Sequence, residues 1–418
     1  MHIAFFTNTY HPVISGVVRS ISTFRQALSE MGHNVFIFAQ AAADYKDEEP
    51  FIFRYPAIDL PLTHNFPVAI PISPFVDKVL PILKPEVIHS HHPFLLGQAA
   101  ASKANELNLP LVFTYHTRYR EYSHYVSLKQ DFVKEAIDRW VGDYLEKCHH
   151  IITPSESIRR LLVETYGISR QITVIPTGID LQPYQAADRT ETRRRLGWDS
   201  SFMLISVGRL AKEKNWSTLL DAAARVMQSR PHVRLTLIGD GDERQPLEEQ
   251  ARRLGIADRV TFTGILPFDQ IPLYLKAADL FCFASVTETQ GLVTMEAMAA
   301  GLPVAAVNAT GTADVVEHNR QGLLTANNSH ALADAIARLV DDDSLRREFQ
   351  QAALEKAGTF DIQVQARRLV EVYRQAIEDR AAGRMVPVDR RKRIFKLIID
   401  DEQWVRLFSR EKKEDRTG

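Results

Sequence analysis

Short apolar runs alternate with amphipathic stretches through most of the chain. A run such as His2–Thr7 has the length of a buried strand. The segment Asp131–Lys147 instead repeats apolar residues at three- and four-residue spacing, which is typical of an amphipathic helix. Alternation of this kind predicts βαβ units in a parallel sheet. In the first half it predicts strands at His2–Thr7, Asn34–Ala39, Val87–Ser90, Leu111–Tyr115 and His150–Thr153, and a further helix at Val17–Met31.

The alternating pattern breaks once, between about residues 176 and 199. This segment is polar and rich in turn-forming residues, which predicts a linker between two domains. A chain of 418 residues also exceeds what one hydrophobic core usually organises. Beyond the linker the pattern predicts strands at Phe202–Val207, Arg234–Ile238, Val260–Thr263, Leu280–Ala284 and Pro303–Val307, and helices at Trp216–Gln228, Glu243–Leu254 and Leu292–Ala300.

The predicted fold class is therefore α/β, with two Rossmann-like domains whose parallel sheets face a central cleft. Residues 1–180 are assigned to the first domain and residues 181–365 to the second. Residues 366–385 are predicted as a helix that crosses back to the first domain, and residues 386–418 as a basic, amphipathic tail. Because ligands of such sheets bind beyond the carboxyl ends of the strands, we expect the loops that follow the strands to carry the chemistry.

Composition narrows the classes of function. The net charge of -1 and the pI near 6.9 provide no overall attraction to nucleic acid, so nucleic-acid binding is not expected. The two cysteines, Cys148 and Cys282, lie far apart in apolar surroundings, which is typical of a reducing compartment without disulfides. The N-terminal residues lack the features of a signal peptide, and no apolar stretch approaches the length of a membrane span. A cytoplasmic location is predicted.

Two carboxylates mark the segment 287–304, TETQGLVTMEAMAAGLPV. Glu288 is predicted in the loop after a strand, and Glu296 about one turn inside the following helix. Carboxylates accept hydrogen bonds from the hydroxyls of a polyol. The free N–H groups and positive dipole end of the helix start, near Gly291 and Leu292, are suited to a phosphate. One loop and one helix can therefore hold both ends of a sugar diphosphate.

Two cations follow the predicted strand Phe202–Val207, in the segment GRLAKEKN. Arg209 and Lys214 at the mouth of a sheet can neutralise the charge that grows on a departing diphosphate, which stabilises a transition state. Taken alone, this cluster is equally compatible with solvent-exposed Lys and Arg side chains at the start of a helix. The presence of the two glutamates in the same half of the chain favours the catalytic interpretation.

These segments resemble the donor domain of the retaining family-4 glycosyltransferases of GT-B fold. The resemblance rests on GRLAKEKN, GDGDER, FTGILP and ETQGLVTMEAMAAGLPV in that order, and on the spacing of Glu288 and Glu296, and it extends to about Arg380. It implies that Arg209 and Lys214 contact the diphosphate. It also implies that Glu288 binds a hydroxyl of the transferred sugar and Glu296 the ribose. The donor-binding residues that it implies are Gly16, Gly264, Ile265, Leu266, Gln290, Gly291, Leu292, Val293 and Glu296.

Histidines of the first half cluster in HSHHP and again in TYHTRYREYSHY. A zinc site at His89, His91 and His92 is disfavoured because no cysteine or suitably spaced carboxylate completes a ligand set, and no metal is predicted. His116 directly follows a predicted strand and matches a histidine that the family places near the transferred sugar, which makes it a candidate catalytic residue. Gly16 matches the glycine of a loop beside the donor diphosphate, and simple helix capping is the alternative role.

The string TYHTRYREYSHYV, together with HPVISGV, is similar to the branch of the family that glycosylates diacylglycerol or a glycosyl lipid. That branch commonly has TYHTxYExYxHY, whereas here Arg120 stands in place of the acid and Glu121 follows it. The resemblance implies that Tyr115, Tyr119 and His124 lie on the acceptor side. Packing in the core or the cleft is the alternative role of the tyrosines.

Two segments are candidates for peripheral contact with the inner face of the cytoplasmic membrane. The segment Leu60–Leu83 is unusually apolar and contains several prolines, and it is interpreted either as the border of a lipid channel or as a buried irregular connection. The tail from Arg390 to Lys413 places apolar residues on a helical stripe beside basic residues, as a peripheral anchor does. An acidic run at Asp400–Glu402 interrupts the basic face, and docking of the tail on its own domain is the alternative.

The predicted function is the retaining transfer of a hexose to a lipid acceptor. The expected donor is UDP-glucose, and the expected acceptor is diacylglycerol or a glycosyl-diacylglycerol. No cofactor is predicted, because a nucleotide sugar is a substrate. The first alternative is a GDP-mannose-dependent mannosyltransferase that acts on an inositol lipid or a soluble glycan. The others are a GT-B epimerase and a non-catalytic module that binds nucleotide sugars.

Overall fold

The computed structural model of the protein describes residues 1–13, 15–58, 68–119 and 130–388. In this part of the chain two parallel sheets form, one of seven strands and one of six, and a hydrophobic core lies on each face of each sheet. The predicted α/β fold with two Rossmann-like domains is confirmed. Three predicted features lie outside the described residues, namely the stretch 59–67, His124 and the tail from residue 389 onward.

The strands of the first half are β1 (His2–Thr7), β2 (Asn34–Gln40), β3 (Ile52–Tyr55), β4 (Ala57–Ile58), β5 (Val68–Ala69), β6 (Val87–Ser90), β7 (Leu111–Thr114), β8 (His150–Thr153) and β9 (Ile172–Val174). Seven of them form the first sheet in the order β3-β2-β1-β6-β7-β8-β9, while β4 and β5 pair separately and antiparallel. Every residue of β6, β7 and β8 is buried. Both faces of the sheet are covered, which explains why these strands are continuous apolar runs.

The helices of the first half are α1 (Gly16–Glu30), α2 (Pro74–Leu83), α3 (Leu96–Glu106), α4 (Gln130–Leu145) and α5 (Glu156–Tyr166). Serine side chains set the starts of three of them. The hydroxyl oxygens of Ser15, Ser73 and Ser155 accept hydrogen bonds from backbone N–H groups in the first turns of α1, α2 and α5. This is the usual way in which a serine caps a helix, and it aligns the helix starts with the strand ends that precede α1 and α5.

The apolar segment Leu60–Leu83 is not an irregular connection throughout, because its second half forms α2. The sequence contains the signals for this helix: Ser73 caps it and Pro74 occupies its first turn, where a missing N–H costs nothing. Phe75 and Ile82 on this helix are 58% and 75% exposed, so the described half of the segment presents apolar side chains to solvent. Within the described ranges, no helix combines the length and the apolar character that crossing a membrane requires.

The strands of the second half are β10 (Phe202–Val207), β11 (Val233–Ile238), β12 (Val260–Phe262), β13 (Leu280–Phe283), β14 (Val304–Val307) and β15 (Gly322–Thr325). They form the second sheet in the order β12-β11-β10-β13-β14-β15. The helices are α6 (Gln182–Ala186), α7 (Arg189–Leu196), α8 (Trp216–Ser229), α9 (Arg244–Arg253), α10 (Ile271–Ala277), α11 (Leu292–Ala299), α12 (Thr312–Val315), α13 (Ser329–Asp341), α14 (Asp343–Gly358) and α15 (Ile362–Ala381).

Two short helices, α6 and α7, occupy much of the segment that is predicted as a linker. The side chain of Asp188 caps α7, and Gly197 ends it in the left-handed conformation. Arg189 and Arg193 then bind the Asp279 carboxylate of the second domain. The polar composition that suggests a linker therefore reflects helix caps and ion pairs, and the crossing itself is a few residues around Thr177.

Helix α15 packs on the first domain rather than on the second. Leu369, Tyr373 and Ala376 lie in one hydrophobic core with Ile3 and Phe5 of β1. The two chain crossings between the domains run side by side. The N–H of residue 179 donates to the carbonyl of residue 360 at 2.8 Å, and the N–H of residue 362 donates to the carbonyl of residue 179 at 3.0 Å. This backbone pairing joins the two crossings into one connection.

Candidate active site

The carboxyl ends of the two sheets face each other, and side chains that follow the strands meet across the cleft. Arg19 in the first turn of α1 reaches the second domain, as do residues that follow β7 and β8. The cross-cleft pairs are Arg19 with Glu296, Arg118 Nη1 with Thr310 Oγ1 at 3.2 Å, Ser155 Oγ with the carbonyl of Thr289 at 2.8 Å, and Ser157 with Asp314. The predicted central cleft is therefore lined by the loops in which ligands of parallel sheets bind.

Lys214 and Glu288 contact each other on the second domain's side of the cleft. Lys214 ends a short 3₁₀ helix after β10, and Glu288 lies in the loop after β13. Because β10 and β13 are neighbours in the sheet, the two segments are adjacent, and Lys214 Nζ lies 2.5 Å from Glu288 Oε1. The side chains are 22% and 15% exposed. The pair places a cation that suits a phosphate beside a carboxylate that suits a sugar hydroxyl.

The loop that carries Arg209 and Lys214 is held by two neighbouring side chains. The Asn215 amide donates to the carbonyl of Ala284 at 3.1 Å, and the buried Trp216 indole donates to the carbonyl of Arg209 at 2.8 Å. The Arg209 side chain itself is 57% exposed and pairs with Glu213 one turn further on. An exposed pair of this kind contributes at most about 1 kcal/mol, so Arg209 can exchange Glu213 for a phosphate at little cost.

Gly291 forms the start of α11 in the left-handed conformation, with φ of 75°. Its carbonyl accepts from the N–H groups of Thr294 and Met295, which leaves the N–H groups of Leu292 and Val293 without a partner inside the helix. These are the groups that are predicted to bind the donor phosphates. They lie at the positive end of the helix dipole, four and five residues beyond Glu288.

Gly311 supports the loop that carries Glu288. Its φ is +80°, and a Cβ at this position would lie 2.6 Å from the Cβ of Glu288. A Cβ on Gly291 would likewise lie 3.1 Å from the carbonyl oxygen of Gly311. The two glycines thus allow the loops after β13 and β14 to touch, which fixes the position of the Glu288 carboxylate.

Glu296 is buried within α11 and pairs with Arg19 of the first domain. Burial raises the pKa of the Glu296 carboxyl, although the nearby Arg19 guanidinium opposes the shift. The same guanidinium lies 5.2 Å from the centre of the Phe268 ring. A ribose hydroxyl that binds Glu296, as the resemblance implies, must share the carboxylate with Arg19 or displace it.

The predicted base-binding residues Gly264, Ile265 and Leu266 form a turn after β12. Gly264 has φ of 73°, and its carbonyl accepts from the N–H of Gly239 at 3.0 Å. Leu266 packs on the domain core, whereas the Ile265 side chain is 63% exposed. This turn presents main-chain groups beside an apolar surface, a combination that suits the edge and the face of a flat base.

Gly16 begins α1 directly after its cap, Ser15. Among the residues that the structure describes, and apart from its chain neighbours and the nearby backbone of α1, no atom lies within 4 Å of a Cβ placed on Gly16. Packing against these residues does not require a glycine there. The predicted close approach of a diphosphate would explain the glycine, because a side chain at this position would occupy the space of the diphosphate.

His116 is half-buried and lies beside the buried His89 and His91 at the carboxyl edge of the first sheet. Its Nε2 is hydrogen bonded to Nδ1 of His91 at 2.9 Å. His89 is held between the Tyr373 hydroxyl and the Thr114 hydroxyl, each at 2.7 Å. Burial lowers the pKa of His89 to about 3 and holds the pKa values of His91 and His116 well below 6.5. At neutral pH these imidazoles are uncharged, so His116 is a neutral hydrogen-bonding group.

The histidines do not complete a metal site in the part of the chain that the structure describes. There, no group of three or more His, Cys, Asp or Glu side chains is arranged to hold an ion.

Tyr115 and Tyr119 lie in the core of the first domain, only 4% and 8% exposed. Their rings make an edge contact with centres 5.3 Å apart, and Phe94 makes edge contacts with Tyr119 and with Trp140 of α4. Trp140 is 53% exposed, so this aromatic row runs from the core to the surface. Packing accounts for the two tyrosine rings, and Trp140 is a surface residue that the motifs do not mark.

Gln290 is placed differently from the other predicted donor-binding residues. Its side chain is only 6% exposed and is bound to the backbone of Thr177 in the connection between the domains.

The sequence motifs do not mark Arg19 and Asp314, which contact residues across the cleft. Arg19 lies at the start of the predicted helix Val17–Met31, whereas Asp314 lies outside every predicted element.

The chain matches two family profiles. Residues 14–183 match Glycosyltransferase Family 4, and residues 188–356 match Glycosyl transferases group 1. The alpha-monoglucosyldiacylglycerol synthase of Streptococcus pneumoniae is 32% identical over 426 residues, covering 96% of this chain and 92% of the relative. The GDP-mannose-dependent alpha-mannosyltransferase of Corynebacterium glutamicum is 29% identical, covering 85% and 84% of the two chains.

A solved structure has the same arrangement of two domains. Anabaena HepE in complex with UDP and glucose superposes with a TM-score of 0.72 at 23% identity, covering 89% of this chain and 98% of that one. At this level of identity the likeness concerns the fold, and it agrees with the predicted GT-B architecture.

Proposed function

The chain belongs to the family-4 and group 1 glycosyltransferases, and from that premise we propose that it transfers glucose from UDP-glucose to diacylglycerol or a glycosyl-diacylglycerol with retention of configuration. The observation that carries the proposal is the contact between Lys214 and Glu288 in the cleft. It provides a cation for the leaving diphosphate next to an acceptor for a hydroxyl of the transferred sugar. Arg209 lies in the same loop as Lys214 and can be released from its exposed partner.

In the proposed reaction the bond between the anomeric carbon and the diphosphate oxygen breaks as the acceptor oxygen approaches from the same face. Lys214 and Arg209 neutralise the negative charge that develops on the diphosphate. The proton of the acceptor hydroxyl passes to the departing diphosphate oxygen. Glu288 orients the sugar through a hydroxyl, and the neutral His116 faces the sugar from the first domain.

The lipid acceptor is supported by similarity and by surface chemistry. The relative from Streptococcus pneumoniae is named for an alpha-glucosylated diacylglycerol, and ordinary UDP-glucose also carries the alpha anomer, which supports retention. Phe75, Ile82 and Trp140 expose apolar side chains on the first domain. In this proposal the protein works at the inner face of the cytoplasmic membrane, where these side chains contact lipid.

The second candidate is transfer of mannose from GDP-mannose, which the likeness to the Corynebacterium relative favours. The carboxylates Glu288 and Glu296 do not select a base. Selection of the base falls to the turn Gly264–Leu266, whose main-chain groups are compatible with uracil and with guanine. Competition by UDP and by GDP against a bound donor separates the two candidates.

The proposal is tested by supplying radiolabelled UDP-glucose, UDP-galactose or GDP-mannose with mixed micelles of diacylglycerol, glucosyl-diacylglycerol or phosphatidylinositol. The expected product is an alpha-glucosyl lipid made from UDP-glucose, identified by chromatography and by the anomeric proton coupling in its NMR spectrum. A beta-linked product would refute retention. Labelled product from GDP-mannose alone would replace the proposal with the second candidate, and donor hydrolysis without lipid product would refute the acceptor.

A further inference from the structure

The carboxamide of Gln290 makes a two-point hydrogen bond to the backbone of Thr177. Its Oε1 accepts from the Thr177 N–H at 2.9 Å, and its Nε2 donates to the Thr177 carbonyl at 3.1 Å. Gln290 and Thr177 are 6% and 5% exposed, so water does not compete for these bonds. The amide of Gln290 thereby replaces the backbone partner that a neighbouring strand would supply.

Thr177 connects this contact to both domains. Its hydroxyl donates to the Ser20 hydroxyl of α1 at 2.9 Å, one residue after Arg19. Two residues further along the chain, Ile179 makes the backbone pairing that joins the two crossings between the domains. Gln290 therefore ties the loop of Glu288 to the helix that carries Arg19 and to the connection about which the domains are oriented.

We infer that Gln290 is a positioning residue, which fixes the loop 287–291 against the connection between the domains and so sets the position of Glu288 and Lys214 relative to His116. This inference rests on the proposed function for the identity of the reaction. The carboxamide is suited to the task because it has one acceptor and one donor side by side and carries no charge. Because misplacement of reacting groups by about 1 Å can cost about a hundredfold in rate, loss of this contact acts on turnover through geometry.

We expect the affinity for UDP and the rate of transfer to respond differently to a change at Gln290. In Gln290→Met the chain length is similar, but the Thr177 N–H and carbonyl lose their partners. The expected Kd for UDP, measured by calorimetry on the full chain, stays within about threefold of the wild type, while single-turnover transfer from UDP-glucose to diacylglycerol falls about a hundredfold. The matched control is Gln321→Met, which removes a buried carboxamide whose oxygen accepts from the N–H of residue 317 in its own domain.

The variant Gln290→Glu adds a readout that depends on pH. A protonated carboxyl has the same adjacent donor and acceptor as the carboxamide, whereas a carboxylate cannot donate to the Thr177 carbonyl. Burial beside a carbonyl favours the protonated form, so the ratio of variant to wild-type kcat is expected to rise as the pH falls from 8 to 6. The ratio for Gln290→Met is expected to stay constant over the same range.

Hydrogen exchange of the peptide that spans residues 175–180 gives a readout without any nucleotide. Faster exchange at Thr177 in Gln290→Met than in Gln321→Met is expected, and equal exchange would overturn the inference. An equal loss of UDP affinity and turnover in Gln290→Met would also overturn the inference, because the side chain would then act as a donor ligand. Unchanged turnover in Gln290→Met would overturn it as well. A wild-type protein that binds neither UDP nor GDP would refute the proposed function, and the exchange experiment would still decide the role of Gln290.

Discussion

Arg19 of α1 and Glu296 of α11 form an ion pair that joins the two domains across the cleft. The glutamate is 1% exposed and the arginine 26% exposed, so the carboxylate depends on a partner that belongs to the other domain. A buried charge is tolerated when it is paired and costs several kcal/mol when the partner is removed. The Glu296 carboxylate is therefore stabilised by the relative position of the two domains.

The change Arg19→Met is predicted to destabilise the protein by about 3 to 5 kcal/mol at pH 8, because it leaves the Glu296 carboxylate buried without a countercharge. Burial already raises the pKa of Glu296, and loss of Arg19 raises it further. A carboxyl with a raised pKa in the folded state binds more protons there than in the unfolded chain, so its cost is relieved as the pH falls. The difference in thermal midpoint between variant and wild type should shrink from pH 8 to pH 5.

A second substitution provides the control for this prediction. Adding Glu296→Gln to Arg19→Met removes the charge as well as its partner, so the double variant is expected to be more stable at pH 8 than Arg19→Met alone. A stability deficit that is the same at pH 5 and pH 8, and that is not relieved in the double variant, would show that the ion pair does not carry this energy.

The neutral state of His116 predicts a broad pH range for activity. Burial holds the pKa values of His91 and His116 well below 6.5, so both rings are uncharged at pH 6.5 and above. We expect kcat/KM to be constant from pH 8 to about 6.5 and to fall only at lower pH, where protonation disrupts the bond between the two rings. The measurement is a pH profile of kcat/KM on His116→Asn and the wild type. An acidic limb centred near pH 7 that is absent in the variant would contradict the assignment.

Removal of the tail after Val388 tests its predicted contact with membranes. The cut is placed there because Val386 is buried and its N–H donates to the carbonyl of Cys148 at 2.9 Å, while Arg384 pairs with Asp379. The basic and apolar residues beyond Val388 predict that the shortened chain pellets less with phosphatidylglycerol vesicles than the full chain, at equal thermal midpoint. Equal pelleting of the two chains would exclude the tail as an anchor.

The sequence predicts most central strands of this fold, because buried parallel strands are short apolar runs between helices. β1, β6, β8 and β10 begin and end at the predicted residues. The pattern does not predict the edge strand β3, since its four residues include an arginine and none but Tyr55 is buried. Short edge strands are stabilised by their neighbour in the sheet, and that contact is not encoded in local periodicity.

The candidate site likewise contains residues that the sequence predicts and contacts that it does not predict. Glu288 and Lys214 were found because each lies in a motif directly after a strand, and the sheet order then brings them together. The sequence does not mark the ion pair of Arg19 or the contact of Gln290 with Thr177, because both depend on the relative position of two domains. Periodicity and motif spacing describe what happens along one chain segment. They contain no information about which residues meet across a cleft.

We propose that Lys214 stabilises the departing diphosphate in this cleft. The decisive measurement is single-turnover transfer of glucose from UDP-glucose to diacylglycerol by Lys214→Ala, with Lys212→Ala as the matched control. Lys212 lies in the same 3₁₀ helix and is exposed. We expect a loss of about 100- to 1,000-fold for Lys214→Ala and a rate within about twofold of the wild type for Lys212→Ala, an exposed surface change. Equal rates for the two variants would contradict this role of Lys214.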